Sequence, residues 1–151
     1  MKTIVHKVKF KASPMQLYEM YMDSKKHSQA IGAPAVVSRK VGGSFTAHGD
    51  HIKGKNLHLV PGKFIVQTWK GSDWALSDPH SIFSVSFEKS GRGTLVTMVH
   101  AYVPDRKAAG LSKGWSDYYW KPWRKYLAKL RPARPWGNGG LVRALREAYH
   151  E

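Results

Sequence analysis

The chain has 151 residues, 42% of them apolar and six of them tryptophan, enough for one domain with one core and too many for a disordered chain. It contains no cysteine, which excludes a disulfide framework, a thiolate nucleophile and a thiolate metal site. Its 25 Lys and Arg against 10 Asp and Glu give a formal charge of +15, a field that draws acidic partners but carries no information about fold.

No apolar run nears the ~18 residues that cross a bilayer. The N-terminus, with lysines among its apolar residues, lacks the continuous apolar stretch of a secretory leader. A cytoplasmic protein without a membrane span is the expectation. No nucleic-acid-binding motif accompanies the charge, so specific binding to nucleic acid is not expected.

From Thr3 to Lys11 the chain alternates, with Ile4, His6, Val8 and Phe10 on one face and lysines on the other, the pattern of a half-buried strand. Ser13-Pro14 then supplies an N-cap and a proline at the first helical position. Met15, Leu17, Tyr18, Tyr21 and Met22 form the apolar stripe of a short helix that breaks near Asp23-Ser24. A second short helix, Lys25 to Ile31, ends at Gly32 and Pro34.

From Ala35 to Val103 the signals are strands and turns. Val36-Val37, Phe45 to His48, Ile52 to Val60, Phe64 to Trp69, Ile82 to Glu88 and Thr94 to Tyr102 read as strands separated by glycine, proline and serine turns. Phe83, Val85 and Phe87 share one face of their strand, as do Val96, Met98, His100 and Tyr102 of the next. Such spacing predicts an antiparallel meander rather than βαβ units.

Pro104 ends the sheet. Ala108 to Leu130 carries a broad stripe that includes Leu111, Trp115, Tyr119, Trp123 and Leu130, a long helix kinked at Pro122. The expected architecture is α+β: about seven antiparallel strands wrapped on a long C-terminal helix, with two short helices after the first strand. Residues 1–130 form this domain. Residues 131–151 form a basic extension, with prolines at 132 and 135, and a short helix over Leu141 to Tyr149. Between residues 121 and 151 there are eight basic side chains and two acidic ones, which read either as a solvated basic tail or as the place where an acidic partner is met, rather than at the cavity.

Several strings narrow the reading. Ala12-Ser13-Pro14, Val41-Gly42-Gly43-Ser44-Phe45, Ile65-Val66-Gln67-Thr68-Trp69, Thr97 to His100 with Val103-Pro104, and Gly114-Trp115 followed by Tyr118-Tyr119-Trp120 and Pro122 occur in that order. Together they resemble the START-like superfamily, which includes the birch pollen allergen and the polyketide cyclases. Within it they are similar to the branch homologous to the C-terminal domain of the activator of the heat-shock-protein-90 ATPase. The resemblance covers residues 3 to 130 and implies a helix-grip fold.

That fold implies a cavity between sheet and helix. Phe45, Trp69, Phe83, Val85, Val96, Met98, His100, Tyr102, Trp115 and Tyr119 are its candidate lining, for a small apolar or amphipathic ligand. Bulky aromatics at these positions also predict that the cavity is small or split. His100 has two readings: a buried imidazole bonded to a helix side chain, or a polar anchor for a ligand. His6 has the same two.

Three functions remain open: a non-enzymatic ligand-binding domain, a chaperone-activator-like module that binds an acidic protein, and a cyclase-like enzyme. His100, Tyr102 and Tyr119 are the only candidate acids or bases, and no catalytic motif is present. His48, His51, His58 and His100 show no metal-ligand spacing, so neither metal nor cofactor is expected.

Overall fold

In the computed structural model, which describes residues 1–130, the strands are β1 (Lys2–Phe10), β2 (Ala35–Val37), β3 (Ser44–Ala47), β4 (Ile52–Val60), β5 (Phe64–Gly71), β6 (Ser81–Ser90) and β7 (Gly93–Val103). The helices are α1 (Pro14–Met22), α2 (Ser24–Ile31), α3 (Asp105–Trp115) and α4 (Lys121–Leu130). The extension expected at residues 131–151, with its short helix, lies outside the described residues. All strand pairings are antiparallel, in the order β1-β7-β6-β5-β4-β3-β2. This is the expected meander, with the first strand returning to pair with the last.

Local chemistry sets the helix boundaries. Ser13 accepts the backbone N–H of Gln16 at 3.1 Å, and Pro14 occupies the first turn. Asp23 both ends α1 and caps α2, accepting from the Lys26 N–H at 2.9 Å. Gly32 closes α2 at φ 69°, a left-handed conformation that glycine adopts without a Cβ penalty.

The C-terminal helix is continuous from Asp105 to Leu130 but not regular. Ser116–Trp120 is a π-helical turn, and the Lys121 N–H reaches back to the Ser116 carbonyl, five residues away. Pro122, which follows directly, has no N–H for the normal ladder. The kink expected at the proline is thus absorbed as an inserted residue just before it. As a result Tyr119 and Trp120, adjacent in sequence, both face the core, at 4% and 5% exposure. A regular helix would have turned one of them outward.

Period-two alternation holds along β6 and β7 as far as His100, and then fails. Tyr102, expected on the inner face, is 60% exposed. Lys2 pairs with Val103 and Ile4 with His100, so Ala101 and Tyr102 together oppose the single residue Thr3. This bulge, with Tyr102 at φ 59°, shifts the alternation by one and buries Val103 instead.

Candidate functional site

Between sheet and helix the centre is filled. The Trp115 ring stacks on Phe83 at 4.8 Å, and Phe83 stacks on Tyr21 at 5.6 Å. Phe45, Val85, Val96 and Met98 pack around them and are buried.

His100 is held in this core at both nitrogens. The Trp115 indole N–H donates to Nδ1 at 3.1 Å, which leaves the proton on Nε2, and that N–H donates to Ser81 Oγ at 2.7 Å. Ser81 in turn donates to the Trp69 carbonyl at 2.6 Å. Burial lowers the pKa of His100 to about 3, so it is neutral. No nitrogen is left for a ligand. His6 repeats the arrangement: the Trp120 indole donates to its Nδ1 at 2.9 Å, and its Nε2 lies 2.9 Å from Ser112 Oγ.

A cleft of about 510 Å³ opens beside this core. One wall is the turn between β3 and β4, with His48 and His51 followed by Ile52. A second is the end of β5 and the loop after it, with Trp69, Gly71, Asp73 and Trp74. The cleft face of α3 supplies Arg106, Lys107, Gly110, Leu111, Gly114 and Trp115, and the π turn adds Tyr118 and Tyr119.

Ion pairs pin the loop after β5 to the first turn of α3. Lys107 Nζ is 2.9 Å from Asp73, and Arg106 pairs with Asp78. The bonded Lys107 ammonium and Arg106 guanidinium hold the Asp73 and Asp78 carboxyls, respectively, below the usual range. Across the cleft, His51 Nδ1 lies 2.7 Å from Ser72 Oγ.

Besides the charged Asp73, Arg106 and Lys107 at its walls, the cleft is lined by Tyr119 and His48. Tyr119 donates its hydroxyl proton to His27 Nε2 at 2.9 Å, because His27 Nδ1–H is committed to the Tyr21 carbonyl at 2.8 Å. His27 is 1% exposed, and burial lowers its pKa to about 4. The Tyr21 hydroxyl continues the network to Gln67 and from there to Asn56, at 2.8 and 2.9 Å. His48 contrasts with these satisfied groups. Its Nε2 is shut off from solvent, has no hydrogen-bond partner, and sits beside the Tyr118 and Tyr119 rings, at 5.7 and 5.8 Å between centroids.

Residues 11–128 match the family model for activator of Hsp90 ATPase homolog 1-like proteins. The chain belongs to this family. It is 30% identical over 115 residues to the activator of 90 kDa heat shock protein ATPase homolog of Dictyostelium discoideum, and 27% identical over 118 residues to the human homolog 1. Those matches take in 76% and 78% of this chain but 30% and 35% of the relatives, so the chain spans about a third of the curated proteins it matches. The crystal structure of an HSP90 activator from Plasmodium falciparum superposes with a TM-score of 0.77 at 21% identity, covering 85% of this chain and 97% of that one. The helix-grip fold is the shared feature at that identity.

Against this family scaffold, the ten candidate lining residues divide three ways. Trp69, Trp115 and Tyr119 reach the cleft. Phe45, Phe83, Val85, Val96, Met98 and His100 are spent in the packed core, and Tyr102 points outward. Of the three candidate acids or bases, His100 is saturated, Tyr102 is on the wrong side, and Tyr119 gives its proton to His27. Sequence reasoning missed His48, Trp74, Gly110 and Gly114. Trp74 lies in the turn-rich loop after β5, where binding residues concentrate, whereas the sequence pattern puts His48 at the end of a strand and the structure puts it in the turn after β3. Among the described residues no group of three His, Cys, Asp or Glu side chains could hold a metal ion, and no helix is long and apolar enough to cross a membrane.

Proposed function

We propose that this chain is a non-enzymatic binding domain for a small apolar or amphipathic molecule, taken up in the cleft between α3, the β3–β4 turn and the loop after β5. The observation that carries this reading is the lining: three tryptophans and two tyrosines surround about 510 Å³, with a few polar groups among them. Ligand sites have this build, apolar walls with a small number of placed hydrogen-bonding groups. Native mass spectrometry of freshly purified protein tests it, and a mass increment lost on denaturation is the expected result. Trp74→Ala, in the loop after β5, should weaken retention in protein whose cooperative urea transition shows that it is folded. Unchanged retention in that variant would place the molecule elsewhere.

A second reading is favoured by the family itself and by the charge of +15. In it the chain is a protein-interaction module, and the 90 kDa heat-shock protein named for its relatives is the candidate partner. Stimulation of that partner's ATPase, lost at high salt, is the expected signature. No stimulation at low salt would remove this reading.

A further inference from the structure

We propose that this protein docks on an anionic lipid bilayer through one end of its sheet, with Val41, Leu57 and Met15 entering the headgroup layer. That end is formed by the β2–β3 loop, the β4–β5 turn, the β6–β7 hairpin and the start of α1. Such docking is independent of what the cleft takes up.

Charge is divided unevenly between the two ends of the sheet. At the other end, where the β3–β4 turn, the loop after β5 and the start of α3 border the cleft, Lys2, Lys53, Lys70, Arg106 and Lys107 stand with Asp50, Asp73, Asp78 and Asp105. Three of those carboxylates are already paired: Asp73 with Lys107, Asp78 with Arg106, and Asp105 with the N-terminal ammonium. At the docking end Lys11, Arg39, Lys40, Lys63, Lys89 and Arg92 are all exposed. Their acidic neighbours are Glu88 and Glu19, and Glu19 is bound to Arg39 at 2.6 Å. A negatively charged surface is therefore drawn to this end of the domain.

Three apolar side chains stand in water among these cations: Val41 at 63% exposure, Met15 at 49% and Leu57 at 45%. The backbone beneath them is braced. Buried Asn56 receives a hydrogen bond from Gln67 at 2.9 Å and donates through Nδ2 to the Ser38 and Lys40 carbonyls, at 2.7 and 3.0 Å. Its main chain accepts from the Gly42 N–H and donates to the Gly43 carbonyl, at 2.8 and 2.9 Å. These bonds fix the β2–β3 loop and bring the chain at Val41 beside that at Leu57. Leu57 is itself the extra residue of a bulge in β4, between the pairs Asn56–Gln67 and His58–Val66. Met15 lies against the β4–β5 turn, with its Cε 3.0 Å from where a Cβ on Gly62 would stand.

A fixed backbone that holds aliphatic side chains in water adds nothing to the core, but it lowers the entropy lost on docking. The three side chains project from separate elements and line no groove, so a protein would need a matching hollow for each. A fluid bilayer closes around all of them. It also answers the charge, because each lysine or arginine near an anionic leaflet is attracted to it.

Co-sedimentation of the full chain with vesicles of phosphatidylcholine and phosphatidylglycerol, in a ratio of about two to one, tests the docking. Binding is expected, and vesicles of phosphatidylcholine alone should bind about tenfold less or weaker still. Val41→Ser with Leu57→Ser keeps every charge and should weaken binding by about tenfold at unchanged Tm. Leu76→Ser removes a fully exposed leucine from the loop after β5, at the other end, and should change binding by less than about twofold. Lys40→Gln with Lys63→Gln should weaken it by about tenfold or more. The chain has no cysteine, so Val41→Cys can carry a single environment-sensitive dye, whose emission should rise and shift to the blue on the vesicles. Equal binding by the double serine variant, or a dye that stays in water while the protein sediments, means adhesion by overall charge and overturns the docking face. Absence of sedimentation overturns the bilayer as partner, and loss of an acidic protein's binding in the double serine variant would then assign this end to a protein.

Discussion

Lowering the pH should destabilise this protein through two buried imidazoles, well above the range where its carboxylates titrate. His27 and His100 are neutral in the fold, with pKa values of about 4 and about 3, because burial penalises the charged form. In the unfolded chain each returns to about 6.5. Above about pH 7.5 neither state binds these protons appreciably, and the two groups are silent. As pH falls below 6.5 the unfolded chain takes up protons that the fold refuses, so stability drops until the folded pKa is reached. Between pH 7.5 and 5 each imidazole costs about 2 kcal/mol, together about 4 kcal/mol, out of a total of about 5–15 for a domain. Near pH 5.5 the slope should be about 2.5 kcal/mol per pH unit. His6 and His48, also lowered by burial, act in the same direction. The ion-paired Asp73, Asp78 and Asp117 are depressed and lose their contribution only as pH falls below about 5, so the window isolates histidine. Urea denaturation at pH 7.5, 6 and 5, followed by tryptophan fluorescence, measures the effect. His100→Asn should remove about half of the slope. Equal stability at pH 7.5 and 5 would refute the assignment of these histidines as neutral and buried.

Other outcomes are open to direct measurement. Trp115→Ala should cost roughly 3–5 kcal/mol in chemical denaturation, because the ring is 2% exposed, stacks on Phe83 and satisfies His100 Nδ1. A loss below about 1 kcal/mol would mean that it only borders solvent. Asp78→Asn, which weakens the pair with the half-exposed Arg106, should leave the urea midpoint nearly unchanged. Deleting residues 133–151 should leave Tm within a few degrees. The same deletion should weaken salt-sensitive binding to an acidic partner if the basic extension provides that contact; unchanged binding would place the contact on residues 1–132.

The elements were legible because each carried a local signal of its own. Ser13-Pro14, Asp23 and Gly32 mark helix ends by capping chemistry, and the alternation of Phe83, Val85 and Phe87 sets the inner face of β6 without reference to any other strand. What failed was the continuation of a period through an irregularity. Counting in twos from Val96 puts Tyr102 inward, but a bulge opposite Thr3 adds one residue. The stripe of a regular helix omits Trp120 for the same reason, since the π turn adds a residue before Pro122. An inserted residue in a strand or helix is decided by the partner it must fit, and that partner lies about a hundred residues away: β1 for the bulge, and His6 and Phe10 for Trp120.

The displacement of the candidate site follows from the same packing. A concave sheet and a helix leave a cavity only where the facing side chains fall short of one another. Here Trp115, Phe83 and Tyr21 meet ring on ring across the middle, and His100 is consumed in orienting Trp115. One such place is where the facing elements run out, beyond Trp69 and Tyr119. There the walls are turns and the end of a strand, and the helix presents glycine. Inward-facing strand residues are the ones that periodicity identifies, so a sequence reading is drawn to the filled part of the core. Turn residues such as His48 and Trp74 carry no period, and a helical glycine reads as a weakness rather than a surface. If the site is a cleft at the end of the core, substitutions at Phe83 or Met98 should act on stability alone, and substitutions at His48, Trp74 or Gly110 on binding. Measuring both quantities on Met98→Ala and Trp74→Ala separates the two places, and a loss of binding in Met98→Ala at unchanged stability would return the site to the interior.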